Sequence, residues 1–147
     1  MRRQLVVSLI LVCLLAVVSG CVSAPGNGLA VSNIRSNACK AGDNCGVFMT
    51  IANNGKTDDV LVGAKSDVAE MTGLHTVVKD DQGGMKMTPI DKIPVPASGS
   101  VELKPGSLHI MLMTLNKDLK TGDTFPLTLK YQNAGDQTIQ VKVQPAN

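Results

Sequence analysis

The sequence predicts a single all-β domain, folded as an antiparallel β-sandwich. Many short strand-like segments follow one another along the chain, and turn-forming residues separate them at regular spacing. No stretch carries a sustained helical period, and residues 116–119 could form one helical turn at most. The chain beyond the N-terminal region has the size of one domain with one adequate core.

The expected strands lie between clear turn signals. The turns are marked by residues 53–55 (Asn-Asn-Gly), 82–84 (Gln-Gly-Gly), 97–99 (Ala-Ser-Gly), 104–106 (Lys-Pro-Gly), 121–123 (Thr-Gly-Asp) and 134–136 (Ala-Gly-Asp). In chain order, the expected strands are Leu29–Ser36, Gly46–Ile51, Asp59–Ala64, Leu74–Val78, Lys86–Ile90, Val101–Leu103, Leu108–Leu115, Phe125–Tyr131 and Thr138–Val143.

The first 20 residues are expected to be a signal peptide. Arg2 and Arg3 supply a positive charge, and the apolar run of residues 5–18 is too short to span a membrane. Residues 18–21 (Val-Ser-Gly-Cys) resemble the lipobox of bacterial lipoproteins, although leucine is commoner than valine at its first position. This resemblance implies that Cys21 is lipidated and anchors the protein to a membrane. The alternative is an ordinary secretory signal cut nearby.

After the lipidated cysteine, residues 21–28 read as a flexible tether, and residues 29–147 form the expected domain. Cys13 lies in the signal peptide and would be lost with it. The remaining pair, Cys39 and Cys45, is expected to form a disulfide, because disulfides persist outside the cytoplasm. A metal clip is the less favoured alternative, since its spacing is wider than is usual in zinc sites.

The charge balance gives no sign of a nucleic-acid partner. The chain has 14 Lys and Arg against 12 Asp and Glu, and loss of Arg2 and Arg3 makes the numbers equal. Phe48, Phe125 and Tyr131 are its only aromatic residues, so no stacking platform for bases is visible. An enzyme is not expected either, because no serine or cysteine lies in a recognisable nucleophile motif.

Soft metal ligands are concentrated in one region. It holds both histidines, His75 and His109, and four of the seven methionines: Met85, Met87, Met111 and Met113. Imidazole and thioether groups suit Cu(I) better than Mg²⁺ or Ca²⁺. In a strand, His109 and Met111 point to the same face. Tight turns near both groups would place the donors at the rim of the sandwich, with Leu108 and Ile110 as exposed apolar neighbours.

Packing is the competing interpretation of these residues. Methionine is a common core residue because its side chain fills irregular gaps. We expect Met49, Met71 and Met113 to be core residues, and the other soft donors to form a metal site.

The spacing of the soft donors resembles the signature of the PCu(A)C-type periplasmic copper chaperones. That signature is a histidine, about ten residues, a methionine, twenty-one residues, and then His-x-Met. Here twenty-one residues separate Met87 from His109-Ile110-Met111, whereas eleven separate His75 from Met87. The resemblance implies a Cu(I) site formed by His75, Met87, His109 and Met111. Met85 is an alternative to Met87, because the extra residue lies in the loop between them and His75.

The resemblance extends over most of the chain from about residue 46 onward, including residues 47–55, 58–64, 101–106, 112–115 and 119–129. It implies a cupredoxin-like, Greek-key sandwich and a monomeric, extracytoplasmic carrier, in the periplasm or at the cell surface. The carrier would deliver Cu(I) to an acceptor such as cytochrome c oxidase subunit II or another copper-assembly protein.

Three other functions remain to be distinguished from a chaperone. A copper storage or resistance lipoprotein would use the same site without a dedicated acceptor. A blue-copper electron carrier needs a cysteine thiolate between its histidines, and no cysteine follows Cys45. A structural or adhesive lipoprotein would bind no metal.

Overall fold

The computed structural model describes residues 28–145. The expected signal peptide, Cys21 and all of the tether except Gly28 lie outside the described residues, as do the last two residues. The described part contains ten strands and no helix. The strands are β1 (Leu29–Asn37), β2 (Cys45–Asn53), β3 (Asp59–Lys65), β4 (Ala69–Lys79), β5 (Met85–Ile90), β6 (Ile93–Val95), β7 (Gly99–Leu103), β8 (His109–Leu115), β9 (Thr124–Tyr131) and β10 (Gly135–Gln144).

The strands form one continuous sheet in the order β5-β4-β8-β2-β1-β10-β9-β3-β6, with β7 paired to β2 beside β8. Contacts of β3 with β4 and of β6 with β7 bring the two halves of the sheet together, so that it encloses one core. The all-β prediction is therefore confirmed. The sheet is mixed rather than wholly antiparallel, because β1 and β10 pair in parallel.

The core takes alternate residues from strands in both halves. In β9, Phe125, Leu127, Leu129 and Tyr131 point inward, as the alternating pattern of a half-buried strand requires. On the opposite side of the core, Val47, Met49 and Ile51 of β2 are fully buried. Met49 is thus a core residue, as the sequence predicts.

Two strands differ from the sequence prediction. Strand β4 begins at Ala69 rather than at the expected Leu74, and it therefore includes Met71 and Gly73. Strand β6 was not expected, because it is only three residues long and contains Pro94. It lies at an edge of the sheet, where proline is tolerated. Residues 116–119 form no helical turn. Instead, Leu119 is buried and exchanges two backbone hydrogen bonds with Cys39.

Cys39 and Cys45 are joined by a disulfide, with their Cα atoms 6.2 Å apart. Cys45 lies opposite Leu112 on the core side of the sheet and is buried. Cys39 is partly buried against the core, so the disulfide links the loop after β1 to the start of β2 at the margin of the core.

Two turns lie at one end of the sheet and position the candidate site. Between β4 and β5, the Asp80 carboxylate accepts hydrogen bonds from the backbone N–H groups of Gln82 and Gly84. Gly83 in the same turn has a positive φ of 81°. Between β7 and β8, the Lys104 N–H donates to the Leu108 carbonyl.

Within residues 28–145 there is no helix long and apolar enough to cross a membrane.

Candidate metal centre

The two histidines lie side by side on the outer face of the sheet. His75 of β4 and His109 of β8 are directly opposite each other in the antiparallel pair, so their side chains share one face. Their rings are stacked, with centroids 5.9 Å apart and planes inclined by 23°. Residues far apart in the sequence thus present two imidazoles at one place.

The ring of His109 is held in a defined orientation. It is buried, and its Nδ1 atom lies 2.9 Å from the carbonyl oxygen of Ser107. A carbonyl can only accept a hydrogen bond, so Nδ1 carries the proton and donates. In the neutral ring, Nε2 then keeps its lone pair free for a metal. Such an outer-shell hydrogen bond is the usual support of a metal-binding histidine.

His75 has a different environment. Its ring lies over Gly73, such that a Cβ atom built on Gly73 would be 3.1 Å from Cε1 and 3.5 Å from Nδ1 of His75. The Nδ1 atom is buried and has no hydrogen-bond partner within residues 28–145. A buried nitrogen without a partner is costly, and a metal ion bound at Nδ1 would remove that cost.

Met111 lies between two glycines across the sheet. Its register partners are Gly73 on β4 and Gly46 on β2, and neither places a side chain beside it. The rings of His75 and Phe48 fold over these two glycines, and the Phe48 ring leaves no room for a Cβ atom at Gly46, which it would approach to 2.8 Å. Met111, which is partly buried, therefore lies in a trough whose two walls are the rings of His75 and Phe48.

Phe48 forms one wall of this trough. Its ring centroid is 6.3 Å from that of His109, and the guanidinium carbon of Arg35 lies 5.6 Å from the Phe48 centroid on the same face of the sheet. The Arg35–Phe48 contact has the geometry of a cation–π interaction. Phe48 thus shields one side of the His109 ring from water.

The two methionines of β5 lie on the same face, at the edge of the sheet. Met87 is opposite Val77, one row from the His75–Pro89 pair, and Met85 is opposite Lys79, a further row away. Both side chains are well exposed, at 59% and 61%. The register therefore brings Met87 nearer to His75 than Met85.

Four residues around the site differ from the sequence predictions. Met71 is not a core residue: it is 64% exposed and lies opposite Met113 on the face that holds the histidines. Met113 is only partly buried and is on the same outer face. Ile110 is not an exposed neighbour of the site, because it points into the core and is fully buried. Leu108 is partly buried and packs against the core.

The structure adds residues that sequence reasoning missed. They are Ser107, Gly46, Gly73 and Phe48, which orient or enclose the predicted donors, and Met71, which extends them. Only the alternation of β4, where Met71, Gly73 and His75 share a face, could have indicated some of them. No group of three or more His, Cys, Asp or Glu within residues 28–145 is placed to hold a metal. A site here therefore depends on imidazole and thioether donors together.

The fold and this cluster define a β-sandwich domain with a soft-ligand face. The family model described as "Putative lipoprotein LpqE-like" matches residues 29–143, and the chain belongs to this family. An uncharacterized protein of Rickettsia prowazekii (strain Madrid E) is 34% identical over 106 residues, which are 71% of this chain and 58% of that protein. A protein of Leifsonia xyli subsp. xyli named as a putative lipoprotein is 28% identical over 118 residues, or 80% of this chain and 70% of that one.

Solved structures confirm the cupredoxin-like fold that the resemblance implied. The apo PCuAC domain from PmoF1 aligns with a TM-score of 0.71 at 24% identity, covering 83% of this chain and 98% of that domain. The solution structure of Cu(I)-bound DR1885 from Deinococcus radiodurans aligns with a TM-score of 0.59 at 28% identity, covering 86% of this chain and 83% of that one.

Proposed function

We propose that this protein is an extracytoplasmic, lipid-anchored copper chaperone. It binds one Cu(I) through His75, Met87, His109 and Met111 and delivers it to an acceptor protein. The observation that carries the proposal is the His75–His109 pair, in which one ring is held by Ser107 and the other has a buried, unpartnered nitrogen. Two adjacent imidazoles on a face that also carries thioethers are the donor set that Cu(I) favours.

The arrangement of the donors suits a carrier. His109 is buried beside Phe48, and His75 is partly buried and stacked on His109. Met87, by contrast, lies on an edge strand and is largely exposed. An exposed, uncharged thioether is easily displaced by the ligands of an acceptor. The two imidazoles therefore hold the copper against the sheet. On the solvent side, ligands of an acceptor can replace Met87.

The comparisons support copper as the metal. DR1885 was solved in a Cu(I)-bound form, and it aligns with most of this chain. The chain also has the His-x-Met pair of the PCu(A)C signature at the start of β8, where His109 is directly opposite His75. Met87 is preferred to Met85 as the fourth ligand, because it lies nearer to His75 in the β4–β5 ladder.

The anchor and the acceptor complete the proposal. Lipidation of Cys21 would confine the protein to a membrane and raise its effective concentration near a membrane-embedded acceptor. Assembly of the copper centres of cytochrome c oxidase is the role implied by the family resemblance, with subunit II as the acceptor. Lipoprotein relatives favour such an anchor. Storage without a dedicated acceptor is the second candidate.

A Cu(I) competition titration tests the site. The full chain is titrated against a chromogenic Cu(I) chelator under anaerobic conditions, as wild type and as His109→Ala/Met111→Ala. We expect one tight equivalent in the wild type and its loss in the double variant. Met87→Leu/Met111→Leu tests the same site without altering the buried imidazole. Met49→Leu, which removes a thioether from the core, is the matched control. Equal, weak binding by all forms would refute the proposal.

Transfer distinguishes a chaperone from a storage protein. The Cu(I)-loaded protein is mixed with the copper-binding domain of cytochrome c oxidase subunit II, and the metal content of both is measured after separation. Movement of copper to the acceptor faster than to a chelator of equal affinity supports delivery. Retention of the metal against both would favour storage.

A further inference from the structure

A second pair of thioethers lies on the same face, beyond the four proposed ligands. Met71 of β4 and Met113 of β8 are directly opposite each other in the ladder that also pairs His75 with His109. The pair is separated from the histidine row by the single row that contains Gly73 and Met111. Directly opposed side chains in an antiparallel pair have Cβ atoms about 5 Å apart, a distance that two flexible thioethers bridge readily.

Packing does not account for Met71. Its side chain is 64% exposed, and the inner face of β4 is already occupied by buried Leu74. The large exposed hydrophobic residues of the described chain are Val62, Met71, Val78, Met85 and Met87. The three methionines among them are all on the face of the two histidines. An exposed thioether contributes little hydrophobic stabilisation at this position. Metal binding by a soft donor explains a methionine here better than packing does.

The second pair is continuous with the histidine site. A Cβ atom built on Gly73 would lie 3.1 Å from Cε1 of His75 and 3.4 Å from the methyl carbon of Met113, so both side chains border the space over this glycine. The following residue, Thr114, has a φ of 54°, and its N–H donates to Oδ1 of Asn44 at 3.1 Å. This conformation is unusual for a β-branched residue, and it fixes the backbone next to Met113.

The geometry points to a second, weaker Cu(I) position formed by Met71 and Met113, through which copper passes to and from the histidine site. This inference rests on the proposed function, which supplies the primary site. The copper stays Cu(I) throughout, and it changes donors without electron transfer. Two neutral thioethers bind less tightly than a site with two imidazoles, so this position fills after the primary one. Met111, between the two positions, is the shared neighbour along which the ion would move.

Methionine methyl resonances test the inference directly. The full chain is labelled with ¹³C at the methionine methyl groups and titrated anaerobically with Cu(I), and each signal is identified by its loss in a single Met→Leu variant. We expect the first equivalent to shift Met87 and Met111 most. The second should shift Met71 and Met113. Met49, enclosed in the core, should stay unchanged and serves as the internal control.

Variants separate the two positions. In Met71→Leu/Met113→Leu we expect the second equivalent to be lost, the first to be retained, and transfer to a Cu(I) chelator to slow. Met71→Leu alone alters an exposed side chain, so it reports on binding without a packing change. Retention of the first equivalent with unmoved Met71 and Met113 methyls would overturn this inference and leave the proposed function intact. Absence of the first equivalent in the wild type would overturn both.

Discussion

The Nδ1 atom of His109 lies 2.9 Å from the carbonyl oxygen of Ser107, two residues earlier in the chain. The turn before β8 therefore determines the tautomer of His109. Because the carbonyl can only accept, the neutral imidazole has its proton on Nδ1 and its lone pair on Nε2. The backbone hydrogen bond thus leaves Nε2 of His109 available as a ligand in the metal-free protein.

The first prediction concerns this tautomer. In the metal-free protein, at a pH where the ring is neutral, ¹⁵N spectra of the imidazoles should show His109 as the Nδ1–H form. Addition of one equivalent of Cu(I) should shift Nε2 of His109 strongly and leave Nδ1 protonated. A predominant Nε2–H form in the free protein would contradict the assignment, and His75 provides an internal comparison without the carbonyl partner.

The second prediction concerns Gly73. A methyl group at this position would be 3.1 Å from Cε1 of His75, so Gly73→Ala should push the ring away from its present place. We expect Cu(I) affinity to fall by about tenfold, as for other changes that disturb the support of a ligand. Affinity is measured by chelator competition, and folding by circular dichroism.

Gly63→Ala is the matched control for Gly73→Ala. Gly63 lies in β3, and a Cβ atom there would have nothing within 4 Å. It should leave Cu(I) affinity unchanged. Equal affinity in both variants would show that the position of the His75 ring does not matter for binding.

The third prediction concerns the disulfide. Replacing Cys39 and Cys45 with serine should lower the free energy of unfolding by about 2 kcal/mol, because the short loop is no longer closed in the unfolded chain. Cu(I) stoichiometry should stay the same, since Cys45 lies opposite Leu112 and faces the core. Denaturant unfolding and chelator competition measure the two quantities. Loss of a copper equivalent would instead indicate that the cysteines bind metal.

The fourth prediction concerns Tyr131, the only tyrosine in a chain without tryptophan. Its hydroxyl group is buried and has no hydrogen-bond partner within residues 28–145. Burial, and to a lesser degree the charge of Asp59, raise its pKa far above the usual value. Tyr131→Phe should therefore stabilise the fold by about 1 kcal/mol at neutral pH, by removing an unsatisfied polar group.

The same shift gives a pH dependence. Because the pKa of Tyr131 is higher in the folded than in the unfolded chain, its ionisation does not lower the free energy of unfolding below a pH of about 10, the usual tyrosine pKa. As the pH rises further, the unfolded chain ionises and the free energy of unfolding falls. Wild type should lose stability above that pH more steeply than Tyr131→Phe in denaturant unfolding. Phenolate absorbance of the wild type should rise only on unfolding, and a rise while the chain is folded would contradict the burial argument.

Local pattern determined most of the strands. Where apolar residues alternate between clear turns, as in β9, the expected strand lies close to the observed one. The first residues of β4, from Ala69 to Gly73, were missed. Strand β6 was missed because three residues containing a proline carry too little local signal. Ile93 and Val95 become core residues through pairing of β6 with β3 and through contacts with β7 and β2.

The sequence by itself determined the chemistry of the protein: the donors, their likeness to a copper-chaperone signature, and the alternation that places His109 and Met111 on one face. Only the tertiary structure decided which donors meet. The register of β4 with β8 places His75 opposite His109. In the same ladder Met71 lies opposite Met113 on the exposed face, and not in the core as the sequence predicted. The register between two distant strands depends on burial of the side chains on their inner face. The spacing of residues along the chain therefore does not predict it.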